Sequence, residues 1–184
     1  MSIKQIDHRP ALVVIDLQQG IVALNTCHPV SNVIDNCVQL IAKFRQLSLP
    51  IVFVNVDGVA PGRTDTVKSN AEKSADWSQL IDELQAEDHD IYITKQTWGA
   101  FSNTKLQQIL SSLKITQLVI CGIATSMGVE STARQAFELG YNITLPTDAM
   151  TDVNIEAHNN SVSYLFPKLA ETGSTAAVLT LLDQ

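Results

Sequence analysis

QLVICGIATSMGVESTARQAFELGYNITL, residues 117–145, reads as a strand, a helix and a second strand in close succession. The runs QLVI (117–120) and NITL (142–145) are short and mostly apolar or β-branched, whereas 129–139 carries helical periodicity. The alternation continues outward in both directions. Towards the N-terminus, ALVVI (11–15), IVFVN (51–55) and IYIT (91–94) have strand length and β-branched character, with helices predicted over 33–47, 77–84 and 104–113. Towards the C-terminus the pattern predicts a helix over 156–170 and a last strand at AAVL (176–179). Continuous apolar runs this short imply strands covered on both faces. In 33–47, Val33, Cys37, Leu40, Ile41, Phe44 and Leu47 form one apolar stripe that would lie on such a face. About six alternations predict an α/β chain with an open, doubly wound parallel sheet. The segment 57–74, polar and punctuated by Pro and Gly, is predicted to be a long loop.

Composition sets the remaining bounds. A chain of 184 residues fits one domain spanning 1–184, and 45% apolar with 17% charged residues is a globular balance. A net charge of −7 argues against a nucleic-acid-binding surface. No run is long and apolar enough for a signal peptide or a membrane span, so a cytoplasmic location with no membrane partner is expected. Cys27, Cys37 and Cys121 are odd in number and unpatterned, which suggests reduced thiols. His8, His28, His89 and His158 are scattered, and none sits at ligand spacing with another His or a Cys, so no metal site is expected.

In open α/β sheets ligands bind beyond the carboxyl ends of the strands, where the strand order reverses. Three candidates fall there. Asp16 ends the first strand, in VVIDLQQG; it is either an acid/base group or an ordinary turn residue. Lys95 ends the third strand, in IYITKQTWG, where a solvated lysine is the common alternative. Opposite charges at one sheet edge are more suggestive than either alone. The fourth strand runs into CGIATSMGVES, whose small and hydroxyl residues open a helix. Its free N–H groups can hold an oxyanion, or Thr125 or Ser126 can simply cap the helix.

ALVVIDLQQG, TKQTWGAFSNTKL and GIATSMGVESTARQAFELGYNITLPTDA, in this order and spacing, resemble the isochorismatase-like hydrolases, also called the cysteine hydrolase superfamily. The resemblance covers nearly the whole chain. It implies a six-stranded parallel sheet in three α/β/α layers, a small-molecule substrate, no cofactor and a homo-oligomer. Asp16 matches the family's catalytic aspartate and Lys95 its catalytic lysine. A cis peptide between Ile123 and Ala124 is also implied, with an oxyanion hole from the backbone N–H groups of Ala124 and Gly128.

The chain departs from the amidase branch at the nucleophile. The cysteine that follows GxATxx there is Gly128 here, and Cys121, at the end of the buried strand, reads as a core residue. The Asp-x-His pattern of metal-dependent nicotinamidases is absent from FVNVDG in the second strand. Without the thiol a thioester route is closed, and the two departures together disfavour nicotinamidase activity. Isochorismatases resemble this arrangement, since glycine can stand at that position in them. By that analogy Asp16 protonates a vinyl ether, water attacks, and pyruvate leaves. The chain differs from them in keeping Ile123-Ala124-Thr125 where they carry a Tyr-Ala-His-like stretch. Two alternatives stand beside this reading: an amide or imide hydrolase using water activated by Asp16, and a non-catalytic scaffold that has lost its nucleophile. Gln18, Trp98, Thr125 and Arg63 are further candidates for substrate contact. Ser126 stands two positions early for a substitute nucleophile, and Asp148 reads as a turn or helix cap.

Overall fold

The computed structural model describes residues 3–66 and 74–184. Among these residues seven parallel strands form one sheet: β1 (Pro10–Ile15), β2 (Ile51–Val56), β3 (Ile91–Lys95), β4 (Gln117–Ile123), β5 (Asn142–Pro146), β6 (Met150–Thr151) and β7 (Glu171–Gly173). The spatial order is β3-β2-β1-β4-β5-β7, with the two-residue β6 beside the end of β4. The chain thus winds outward from β1 to β3, then returns to the other side of β1 to lay down β4. The strand order reverses between β1 and β4, and there the ends of the two strands are in register, Ile15 opposite Gly122.

Among the described residues six α-helices cover the sheet: α1 (Gln19–Val22), α2 (Val30–Gln46), α3 (Leu106–Ser112), α4 (Glu130–Glu138), α5 (Ile155–Asn160) and α6 (Thr175–Leu182). β1 shows why its sequence is apolar without alternation. Ala11, Val13 and Ile15 enter a core shared with Leu106 and Leu110 of α3 and Ala133 of α4. Leu12 and Val14 enter the opposite core with Leu40 and Phe44 of α2 and Val178 of α6. Each such aliphatic side chain contributes about 1.5–3 kcal/mol by leaving water. A strand contributing to both cores must therefore be apolar at every position.

Three expected elements differ. AAVL is helical within α6, and the edge strand is Glu171–Gly173. Ser174 caps α6 by accepting a hydrogen bond from the Ala177 N–H, and the run that follows is long enough to continue the helix. Residues 77–84 form only a single 3₁₀ turn at Asp82–Leu84. The carbonyls a helix would use there are taken by the 17–20 segment: Gln79 O accepts from Gln19 N–H at 2.8 Å and Trp77 O from Gly20 N–H at 2.9 Å. The 156–170 region starts as α5 but widens to a π-turn at Ser161–Leu165 and tightens at Phe166–Lys168, where Pro167 removes a donor.

Gly122 permits the close approach at the reversal point. Its φ is +116°, and a Cβ there would lie 2.1 Å from the Ile15 carbonyl oxygen. Gly122→Ala is expected to lower stability by more than about 1 kcal/mol, because strain and clash add. Urea unfolding would check this, with a shifted midpoint at unchanged slope as the expected result.

Candidate active site

The register places Asp16 one residue beyond β1, Lys95 at the end of β3 and the 124–128 turn beyond β4, all on one edge of the sheet. Asp16 has left-handed backbone geometry, φ +52°, and its N–H donates to Val54 O at 2.8 Å. Lys95 Nζ donates to Asp16 Oδ2 at 2.7 Å, and both residues are buried. Asp16 Oδ1 is buried and has no hydrogen-bond partner among the described residues. Burial raises the Asp16 pKa and outweighs the lowering by the Lys95 charge and hydrogen bond, leaving it at about 6.

The pair stands on the wall of a cavity of about 440 Å³. Ala124 and Gly128 share that wall, together with Ile21, Val56, Trp77, Ile123 and Met127. Asp16 and Lys95 are the only charged side chains among its described lining residues. Gly128 packs closely: a Cβ there would lie 2.8 Å from Ile15 Cγ2 and 3.1 Å from Asp16 Oδ2. The peptide between Ile123 and Ala124 is cis. Met127 N–H and Val129 N–H both turn back to Ala124 O, at 3.2 and 3.1 Å, which closes the turn around Gly128.

The other sequence candidates are placed unevenly. Trp98 lines the cavity at its mouth and is 63% exposed. Gln18 does not reach the cavity. Fully buried, its amide donates to Val56 O and Trp77 O and accepts from Val56 N–H, so it splices the 77–80 segment to β2. Thr125 is also off the wall, its hydroxyl lying 2.8 Å from His158 Nδ1. Arg63 is exposed and away from the lining. The 57–74 loop brings Gly58 and Val59 to the cavity, while its residues 67–73 lie outside the described residues. The Ser126 hydroxyl and N–H both donate to Asp152 Oδ2, at 2.8 and 2.7 Å. Asp148 Oδ1 accepts from the Thr175 N–H and hydroxyl at the start of α6.

Two contributors went unread. Asp152, fully buried, holds the 125–129 turn through Ser126 and also accepts from the Val153 and Asn154 N–H groups. Trp77 reaches the wall from a segment whose sequence suggests only an ordinary amphipathic helix. For Trp77 the sequence carried no signal.

The Isochorismatase domain profile matches residues 10–177. The isochorismatase family protein YwoC of Bacillus subtilis is 38% identical over 178 residues, covering 93% of each chain. Nicotinamidase 3 of Arabidopsis thaliana is 28% identical over 174 residues, covering 84% of this chain and 79% of its own. Among solved structures, an isochorismatase family protein from Burkholderia thailandensis superposes with a TM-score of 0.95 at 34% identity over the full length of both chains. N-carbamoylsarcosine amidase from Thermoplasma acidophilum superposes at 0.75 with 26% identity, over 91% of this chain and 96% of its own.

Proposed function

This chain belongs to the isochorismatase family and is a hydrolase, and we propose that it hydrolyses a small substrate directly with water, using Asp16 as the proton carrier and no covalent intermediate. The observation that carries this reading is the buried Asp16–Lys95 pair, with one carboxylate oxygen unpartnered, in a cavity whose described wall offers no thiol, imidazole or serine. Gly128 stands where the amidase branch carries its nucleophile and leaves Asp16 open to the substrate. A pKa of about 6 lets Asp16 carry a proton near neutral pH.

The bond class that suits such an acid is a vinyl ether of the isochorismate type. The Asp16 carboxyl proton passes to the terminal carbon of the enol ether, forming an oxocarbenium ion. Water adds to the cationic carbon, and its released proton returns to the Asp16 carboxylate. The hemiketal then collapses to a ketone, pyruvate in the reference case, and an alcohol. Lys95 keeps the carboxylate form of Asp16 stable in the buried site after it has given up its proton. The N–H groups of Ala124 and Gly128 would hold the substrate oxygen.

A second reading has Asp16 as the base, drawing a proton from water that attacks an amide or imide. The relatives named as amidases, nicotinamidase and N-carbamoylsarcosine amidase among them, favour it.

Pyruvate release from isochorismate, alongside a panel of amides and imides, is the first measurement, followed by the pH dependence of kcat/KM on the substrate that turns over. Acid catalysis predicts a rate that falls as pH rises through about 6, and base catalysis a rate that rises through the same value. Turnover of neither class by folded protein, or a profile flat between pH 5 and 8 (about one unit either side of the carboxyl pKa and beyond), overturns the proton-carrier role.

A further inference from the structure

Behind the active-site wall the fold gathers three side chains able to bind a metal ion, two adjacent in sequence and the third far from them. Cys27 and His28 sit in the connection between α1 and α2, and His158 lies on α5. One donor atom from each falls within 4.8 Å of the other two. Cys27 Sγ and His28 Nδ1 are 3.4 Å apart, and the two imidazole rings meet edge to face with centroids 4.6 Å apart. Tetrahedral zinc, with bonds of about 2.0–2.3 Å, holds its donors roughly 3.3–3.8 Å from one another. The Cys27–His28 separation already meets that spacing, and the third donor needs to move by about 1 Å, within the reach of side-chain rotation.

We propose that Cys27, His28 and His158 form a site for a zinc-type divalent ion, separate from the catalytic cavity. One thiolate and two imidazoles form a borderline-soft donor set that selects zinc over magnesium or calcium. The surroundings suit ligation. The Thr125 hydroxyl beside His158 Nδ1 orients that ring, as outer hydrogen bonds orient metal-binding histidines. Thr151 Oγ1 lies 3.0 Å from His28 Nδ1 and 3.5 Å from Cys27 Sγ, contacts that an ion bound to these two atoms replaces.

The position gives the ion a task. None of the three ligands lines the cavity, but their partners hold the turn that carries Gly128 of its wall. Thr125 opens the turn that carries Gly128, and Cys27 N–H donates at 2.7 Å to the carbonyl of Asp152, whose carboxylate holds Ser126. An ion here fastens the α1–α2 connection and α5 to the 125–129 turn.

The test is titration of metal-stripped, full-length protein with Co²⁺. The expected result is one equivalent bound, with the visible bands of tetrahedral cobalt, a thiolate-to-cobalt charge-transfer band in the near ultraviolet, and displacement of both by Zn²⁺. Cys27→Ser should abolish the near-ultraviolet band, and His158→Gln should weaken binding by about tenfold or more. Asp16→Asn should bind as wild type does. If His158→Gln fails to fold, His28→Gln takes its place. No spectral change on adding Co²⁺ overturns the site. So does a charge-transfer band that survives in Cys27→Ser, since it would come from Cys37 or Cys121, and so does a wild-type spectrum in the histidine variants.

Discussion

Asp16→Asn should reduce kcat/KM by about 10²–10⁴-fold while leaving the fold intact, the magnitude typical of removing a positioned acid or base. Asn keeps the shape of the side chain and can still accept a hydrogen bond from Lys95 through its amide oxygen, but it has no group that gains or loses a proton near neutral pH. The inflection that wild type shows near pH 6 should disappear with the activity. Steady-state kinetics from pH 5 to 8, with circular dichroism of the same samples, gives both readouts. A variant that retains most of the wild-type rate would exclude Asp16 from proton transfer.

Lys95→Met should act on both stability and titration. Lys95 and Asp16 are buried and bonded at 2.7 Å, and removing one member of such a pair leaves the other charge without compensation. The cost of breaking a buried pair is about 3–5 kcal/mol when the remaining group is ionised. Burial already holds the Asp16 pKa at about 6 against the pull of Lys95, so losing Lys95 must raise it further. An acid whose pKa in the folded state lies above its unfolded value is easier to unfold once it is ionised. The penalty is absent below the unfolded value of 3.8, grows as pH rises, and is complete above the raised folded value. The difference in stability between wild type and Lys95→Met should therefore be small at pH 5 and large at pH 8, by denaturant unfolding at each. An equal loss at both would mean that Asp16 does not bear the charge. In the kinetics, acid catalysis predicts that the falling limb moves to higher pH in this variant.

The arrangement also explains why the cavity wall carries so little polarity. Asp16 needs a low-dielectric surrounding for its pKa to approach the working range, and Ile21, Val56, Trp77 and Met127 supply it. A second buried cation close to Asp16 would pull that pKa back down. The Gly128 backbone approaches Asp16 because residue 128 has no side chain: a Cβ there would lie 3.1 Å from Oδ2, the oxygen that Lys95 holds.

The sequence by itself determined the two-sided apolar strands, their alternation with helices, and hence the parallel sheet with Asp16, Lys95 and the 124–128 turn at its carboxyl edge. These features are local or follow from the pairing of neighbouring units, so residue type and spacing suffice to read them. Side-chain bonds across long separations overrode the same signals elsewhere. Gln18 is a candidate for ligand contact by position, yet its amide is consumed by Val56 and Trp77, and the Gln19 and Gly20 N–H groups take carbonyls that a helix over 77–84 would use. Only the tertiary structure decided whether burial or Lys95 governs the Asp16 carboxyl, because that balance depends on how completely water is excluded from both groups. It likewise brought Cys27 and His28 against His158, whose scattered positions in the chain carry no ligand spacing to read. Backbone pattern is written in consecutive residues, whereas desolvation and donor geometry exist only once distant segments have packed together.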